Sequence, residues 1–413
     1  TLPAGLDTFP ALLRKAGYKT AAVGKMHYTP TYLDVGFDEM YLAEQDGPGR
    51  FDDDYHRYLK ERNLSDDIDI VDQRQEYRRH ASQEYWDAFG ALESNLSEEH
   101  HSTTWIGDRS VEAIEKWKEG GNLLMAGFIK PHHPFDPPYP WSDMYDPEGL
   151  EILPGWLDQR LPRDIARARG YFENDKLTEK SLRKVMAYYY ATISQIDYHV
   201  GRMIKLLKEK HMYDDTFILY TSDHGDFMGF HHMVLKGNYM YDPLVKVPLI
   251  IKYPGGAKEN TVSEAMASTV DIAPTILNSC GCQTGKFMKG LDLAKSEGGR
   301  ELAFAEQAMP EGRCYMARSR RRKLLLSSDE TESCFFDLEK DPLEMNNLIA
   351  DPAYQDEIEK FRNAAAQWVL FEEPAPVHLD YGARVITGGN VLSDDDQHRE
   401  EMENYFRRKV LQK

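Results

Sequence analysis

Apolar residues in this chain come in continuous runs rather than strict alternation, and helical stretches separate the runs. "LDTFPALLRKAGYKTAAVGKMH" opens with helical spacing that stops near Gly17, then gives a short strand over Lys19–Val23 and a Gly-Lys turn. "NLLMAGFIKPHHPFDPPYPW" holds a second run, closed by prolines that cannot continue a strand ladder. Over residues 179–211, Ile193, Ile196, Val200, Ile204 and Leu207 recur at helical spacing with Lys and Arg opposite, which predicts one long helix. Asp214 and Asp215 turn the chain into a third run, "TFILYTSDHG", and "VPLIIKYP" is a fourth.

Continuous apolar runs alternating with helices predict an α/β fold, a mostly parallel sheet covered by helices on both faces. Ligands of such sheets sit at the carboxyl ends of the strands. Three runs end in chemically able residues: Lys25 and His27, then Lys130 and His132, then Asp223 and His224. Three such endings at one structural level predict a single site. After about Gly285 the pattern changes to short strands, "GRELAFAEQ", "CYMARSRRRKLLLSS" and "SCFFDLEKDPLEMNNL", with a helix over residues 353–369. The expected organisation is a larger domain over residues 1–285 and a smaller α+β subdomain over 286–413. Its tail is irregular after Pro374 and ends in a helix within "SDDDQHREEMENYFRRK".

Composition narrows the function classes. With 413 residues, 41% hydrophobic and 29% charged, the chain has the make-up of a soluble globular protein with ample core. A net charge of -19 argues against general nucleic-acid binding, because a phosphate backbone would be repelled. No apolar run is long enough to span a bilayer and no signal peptide is visible. The chain starts at Thr1 and enters a helix at once, so it reads as part of a longer precursor, and periplasmic, secreted and cytoplasmic placements all stay open. Cys280, Cys282, Cys314 and Cys334 do not make a disulfide scaffold at this length.

Asp223 and His224 are hard-to-borderline metal ligands at a strand end, and Gly225 lets the backbone turn away. Lys236 is a compact point charge suited to a tetrahedral oxyanion. With "TSDHG", "VPLIIKYPG", "AGYKTAAVGKMH", "GFIKPHHPF", "STVDIAPTILNSCG" and "FFDLEKDPLEMNNL" in this order, the chain resembles the sulfatase family of the alkaline-phosphatase superfamily from residue 6 to about 370. The resemblance implies an alkaline-phosphatase-like sandwich and a sulfuric ester hydrolase acting on a small-molecule or carbohydrate sulfate ester. It implies that Asp223 and His224 hold one divalent cation, usually calcium. Lys25 would contact sulfate and nucleophile, His27 would handle the nucleophile's hydroxyl proton, His132 would meet the ester oxygen and Lys236 would grip the sulfate. Lys130 is a further expected substrate contact. A phosphonate monoester or phosphodiester hydrolase on the same scaffold is the alternative, and a non-catalytic sulfatase-like protein is another.

One departure stands out. The family carries its nucleophile, a Cys or Ser converted to formylglycine, in a "C/S-x-P-x-R" motif, and none of the four cysteines here has Pro and Arg at that spacing. The expectation is that the formylglycine and a first pair of metal-binding aspartates lie upstream of residue 1, leaving this chain without turnover of its own. Other charged stretches read as solvated surface. These are "FDDDYH" (51–56), His100–His101, His133, His231–His232 and "RSRRRK" (318–323), the last as a strand face. Tyr188–Tyr190 read as core or helix-packing surface.

Overall fold

The computed structural model describes residues 6–45, 50–165, 171–237, 239–309, 312–372 and 396–411. The tail after Pro374 lies outside the described residues as far as 395. The chain divides into two units. One comprises Thr1–Ile152, Leu177–Thr216 and Asp380–Lys413, the other Leu153–Lys176 and Phe217–Leu379. Among the described residues no helix is long and apolar enough to cross a membrane.

In the first unit, helix α1 (Phe9–Lys15) starts at Thr8, whose hydroxyl accepts from Ala11 N, and stops before Gly17. Strand β1 (Lys19–Gly24) then runs between β2 (Glu39–Leu42) and β3 (Asn122–Gly127), and both pairings are parallel. Val23, opposite Tyr41 and Ala126, is fully buried, as a central parallel strand requires. Helices α2 (Asp54–Glu61) and α3 (Asp67–Gln73) begin on Asp53 and Asp66, each of which caps its helix. With α4 (Ser102–Glu115) they build a core of Tyr55, Leu59, Ile70, Trp105 and Ile106 on Val23. Met402 and Phe406 of the terminal helix Asp396–Leu411 complete it, and each fully buried side chain of this size contributes roughly 1.5–3 kcal/mol.

The expected long helix is α5 (Glu179–Glu209), opened by a Thr178–Ser181 capping box. Its buried stripe runs through Thr192, Gln195, Ile196, His199, Met203 and Leu207, whereas Ile193, Val200 and Ile204 are only partly covered. The helix is turned this way because Gly107 of α4 leaves room for the His199 ring, which a Cβ at 107 would strike. A spacing rule that counts apolar residues does not foresee a polar seam.

In the second unit, β4 (Ile218–Thr221) and β5 (Leu249–Lys252) pair antiparallel, with Tyr220 opposite Ile250. These two runs were expected to join a mostly parallel sheet. Apolar content predicted the strands, but direction is set by how the connecting chain returns. The C-terminal subdomain is a four-stranded antiparallel sheet, β6 (Ala303–Met309), β7 (Gly312–Arg318), β8 (Arg322–Ser327) and β9 (Cys334–Asp337), paired in that order. Cys314, Met316, Leu325, Cys334 and Phe336 pack on one side with Phe227, Phe230 and Tyr241. The alternating Ala317, Leu324 and Phe335 meet Ile358, Phe361 and Ala365 of the helix Gln355–Gln367 on the other.

Candidate functional site

The carboxyl ends of β1 and β3 approach closely, because Gly24 and Gly127 face each other across the ladder, where a Cβ on Gly24 would strike the Gly127 carbonyl and one on Gly127 the Lys25 carbonyl. Lys25 N donates to Gly127 O at 2.7 Å, so pairing continues one residue past the strand. Lys25 is half-buried there and His27 is exposed. His27 holds φ 56, in the left-handed region that a side chain disfavours. The backbone N–H groups of Met26 and His27 both donate to Oε1 of Glu44, which follows β2.

Beyond β3 the chain forms the loop that carries Lys130, His132 and His133. His132 Nδ1 lies 2.7 Å from the carbonyl of His133, and since a carbonyl only accepts, Nδ1 carries the hydrogen and proton exchange falls to Nε2. The same carbonyl accepts from Gln45 Nε2 at 2.8 Å and Gln73 Nε2 at 3.0 Å. His133, expected at the surface, is buried, and its Nδ1 stands 2.6 Å from Asp72 Oδ2 while Tyr85 donates to Asp72 Oδ1.

Lys130, expected as a substrate contact, is buried instead and its ammonium turns inward. It pairs with Asp136, donates to Pro134 O at 3.0 Å and lies 3.8 Å from Asp69. Burial works against the charge, but Asp136, Asp69 and Asp66 around it hold its pKa above the ordinary lysine value. Burial likewise pushes Asp136 well up and Asp66 to about 7. Three carboxyls and one ammonium in a dry interior tie the loop to α3.

In the second unit, the three residues picked from sequence are brought together. Lys236 Nζ is 2.9 Å from His224 Nε2, and Asp223 Oδ2 is 3.6 Å from the same nitrogen. His224 Nδ1 is 2.8 Å from the Gly225 carbonyl, which obliges Nδ1 to donate and leaves the Nε2 lone pair facing Lys236. Gly225 tolerates no side chain, since a Cβ there would strike the Pro243 carbonyl. A neutral imidazole with Nδ1–H on a carbonyl and Nε2 beside a carboxylate is a common ligand arrangement for a divalent cation. The donor set fits, although among the described residues no group of three or more His, Cys, Asp or Glu side chains is arranged to hold a metal ion.

Several stretches read as solvated are interior. Asp53 and His56 of "FDDDYH" are buried and paired with each other, with His56 Nδ1 2.8 Å from Asp53 Oδ1. His101 is buried at the start of α4. His231 and His232 are buried in the second unit, where both ring nitrogens of His231 face oxygens, Asp164 Oδ2 at 3.0 Å and Leu343 O at 2.8 Å. Lys323, the end of "RSRRRK", is fully buried on Glu344 and Asp242. Tyr188–Tyr190 are partly covered along α5. Glu44 was missed outright, because a lone Glu after a strand looks like any solvated carboxylate.

A family model described as Sulfatase matches residues 1–282, and one described as N-sulphoglucosamine sulphohydrolase, C-terminal, matches residues 230–368. The arylsulfatase of Clostridium perfringens is 28% identical over 383 residues, covering 86% of this chain and 76% of the relative. The N-acetylglucosamine-6-O-sulfatase of Bacteroides thetaiotaomicron is 26% identical over 409 residues, covering 84% and 69%. Among solved structures, a phosphonate monoester hydrolase from Silicibacter pomeroyi superposes with a TM-score of 0.68 at 21% identity, over 88% of this chain and 79% of that one, which shows the fold.

Proposed function

The chain belongs to the sulfatase family, and from that membership we propose that it carries the anion-binding and proton-transfer residues, and part of the metal site, of a sulfuric ester hydrolase. The observation that carries this reading is the second-unit trio, in which the His224 Nε2 lone pair meets a cationic ammonium at 2.9 Å beside the Asp223 carboxylate. A sulfate monoester resists hydrolysis because its sulfuryl oxygens repel a nucleophile and its alkoxide leaves poorly. Positive charge and a proton donor are what such a reaction needs.

Asp223 and His224 would hold a divalent cation. The hard carboxylate favours calcium, and a histidine in the set keeps magnesium, manganese and zinc open. Such an ion, when bound, supplies charge that offsets the sulfuryl oxygens. Lys25 in the first unit and Lys236 in the second each offer a point charge suited to sulfuryl oxygens. His132 holds its exchangeable proton at Nε2 and passes it to the departing alkoxide oxygen, while its Nδ1–H stays on the His133 carbonyl. His27 takes the hydroxyl proton of the nucleophile. Lys130 acts at one remove, by fixing the loop that bears His132. No cysteine or serine of this chain stands in a C/S-x-P-x-R motif, so this reading assigns none of the 413 residues to the nucleophile. The names of the relatives support an aryl or amino-sugar sulfate ester as substrate.

The test joins the chain to a segment that carries a formylglycine motif and compares 4-nitrophenyl sulfate with an aryl phosphonate monoester side by side. Faster sulfate turnover, lost in His132→Gln most severely for poor leaving groups, supports the reading. A preference for the phosphonate replaces the substrate class, and no turnover of either substrate leaves a binding protein.

A further inference from the structure

Glu44 reaches from the end of β2 beneath the turn that carries Lys25 and His27. Its Oε1 accepts the N–H of Met26 and of His27, each at 2.9 Å. Two successive backbone N–H groups aimed at one anion form a nest, a concavity that elsewhere takes up phosphate or sulfate. Here a side chain of the same chain fills it. Glu44 is anchored in turn, since its own N–H donates to Asp53 Oδ2 at 2.7 Å, and Asp53 caps α2. The left-handed His27 is a conformation that persists only where the surroundings impose it, and two amides fixed on one carboxylate oxygen do so.

We propose that Glu44 is a positioning residue, whose buried carboxylate fills the nest of Met26 and His27 and so sets the direction in which Lys25 and His27 leave β1. The role rests on the reading that these two residues meet the substrate anion. The second carboxylate oxygen, Oε2, is buried with no hydrogen-bond partner among the described residues, and is where the proton of the acid form resides. Burial pushes the carboxyl up to about 7 against the pull of the two amides; Asp53 adds to the rise and Lys25 opposes it. The groups facing Glu44 are thus Lys25 just past β1, Asp53 at the start of α2, and Tyr28, which feels the Glu44 charge. Protonation removes the charge that holds both amides, so the turn loosens as pH falls.

The experiment is NMR on the nitrogen-15-labelled chain, as wild type, Glu44→Gln and Glu44→Leu. Amide exchange at Met26 and His27 is expected to rise about 100-fold in Glu44→Leu, and to stay within about tenfold of wild type in Glu44→Gln, whose carbonyl still accepts. In the wild type the two amides shift together through a transition at about 7 that Glu44→Gln lacks. This second measurement decides the matter if Glu44→Leu does not fold. Inorganic sulfate, titrated in parallel, should perturb Lys25 and His27 with an affinity about tenfold weaker in Glu44→Leu and restored in Glu44→Gln. Unchanged exchange in Glu44→Leu, or no shared transition in the wild type, overturns the clamp. Faster exchange with equal sulfate affinity in all three proteins overturns the positioning role. Sulfate that moves neither residue in the wild type, with the exchange result intact, sinks the anion-site reading and leaves the clamp standing.

Discussion

Nζ of Lys236 stands 2.9 Å from Nε2 of His224, so an ammonium occupies the side of the imidazole from which a metal ion would be bound. The two cations compete for one lone pair and repel each other. Lys236→Met should therefore tighten calcium binding, by on the order of 1 kcal/mol at this half-buried position, while it weakens sulfate binding. Asp223→Asn and His224→Ala should each weaken calcium binding about tenfold or more. Calorimetric titration of the chain with calcium reads all three. Weaker calcium binding by Lys236→Met would contradict the competition.

Lys130→Met should unfold the first unit more easily by about 3–5 kcal/mol, because it strands Asp136, Asp69 and Asp66 without their cation. A urea titration followed by tryptophan fluorescence measures this. A lysine whose role was to touch substrate would change stability little on removal, so an unmoved midpoint counts against the buried cluster.

Stability should fall on mild acidification through the α4–α5 seam. Burial, with the Arg202 charge, lowers the His199 pKa to about 4 against the pull of Asp108, and burial with Lys130 puts His101 well below its ordinary value. Unfolded imidazoles titrate near 6.5, so below that pH the unfolded chain takes up protons that the fold refuses. Stability is then present above about 6.5 and is lost as pH drops toward 4. Glu44 and Asp66, raised to about 7, act in the opposite sense, since the folded chain keeps their protons longer. The informative quantity is thus the difference between wild type and His199→Gln in urea midpoint across pH 4–7, which should shrink as the pH falls.

The chain incubated alone with 4-nitrophenyl sulfate and calcium should release nitrophenolate no faster than buffer, because none of its cysteines carries the Pro and Arg of the nucleophile motif. Turnover that His132→Gln abolishes would show that a nucleophile lies within these 413 residues.

Much of the fold was legible in the sequence because it is written in local spacing. Lys19–Gly24, Asn122–Gly127 and Ile218–Thr221 are short apolar runs closed by glycine, proline or aspartate, and each forms the strand expected. Asp223, His224 and Lys236 were legible as a group, since the first two follow a strand directly and the third returns on the loop. Lys323 was not. It lies among arginines in a run that reads as solvated, yet its ammonium is fully buried on Glu344 Oε1 at 2.7 Å and Met240 O at 3.0 Å.

The sequence by itself determined the α/β class, the strand ends that carry reactive side chains, and the family. These depend on periodicity and on neighbours a few residues away. Only the tertiary structure decided which charges are buried. A carboxylate or imidazole enters the interior when a partner meets it there, and those partners come from far along the chain: Asp72 for His133, 61 residues apart, Glu44 for the amides of Met26 and His27, and Asp164 for His231, 67 residues apart. Desolvation of each group is offset only by such a contact, and no local pattern records it.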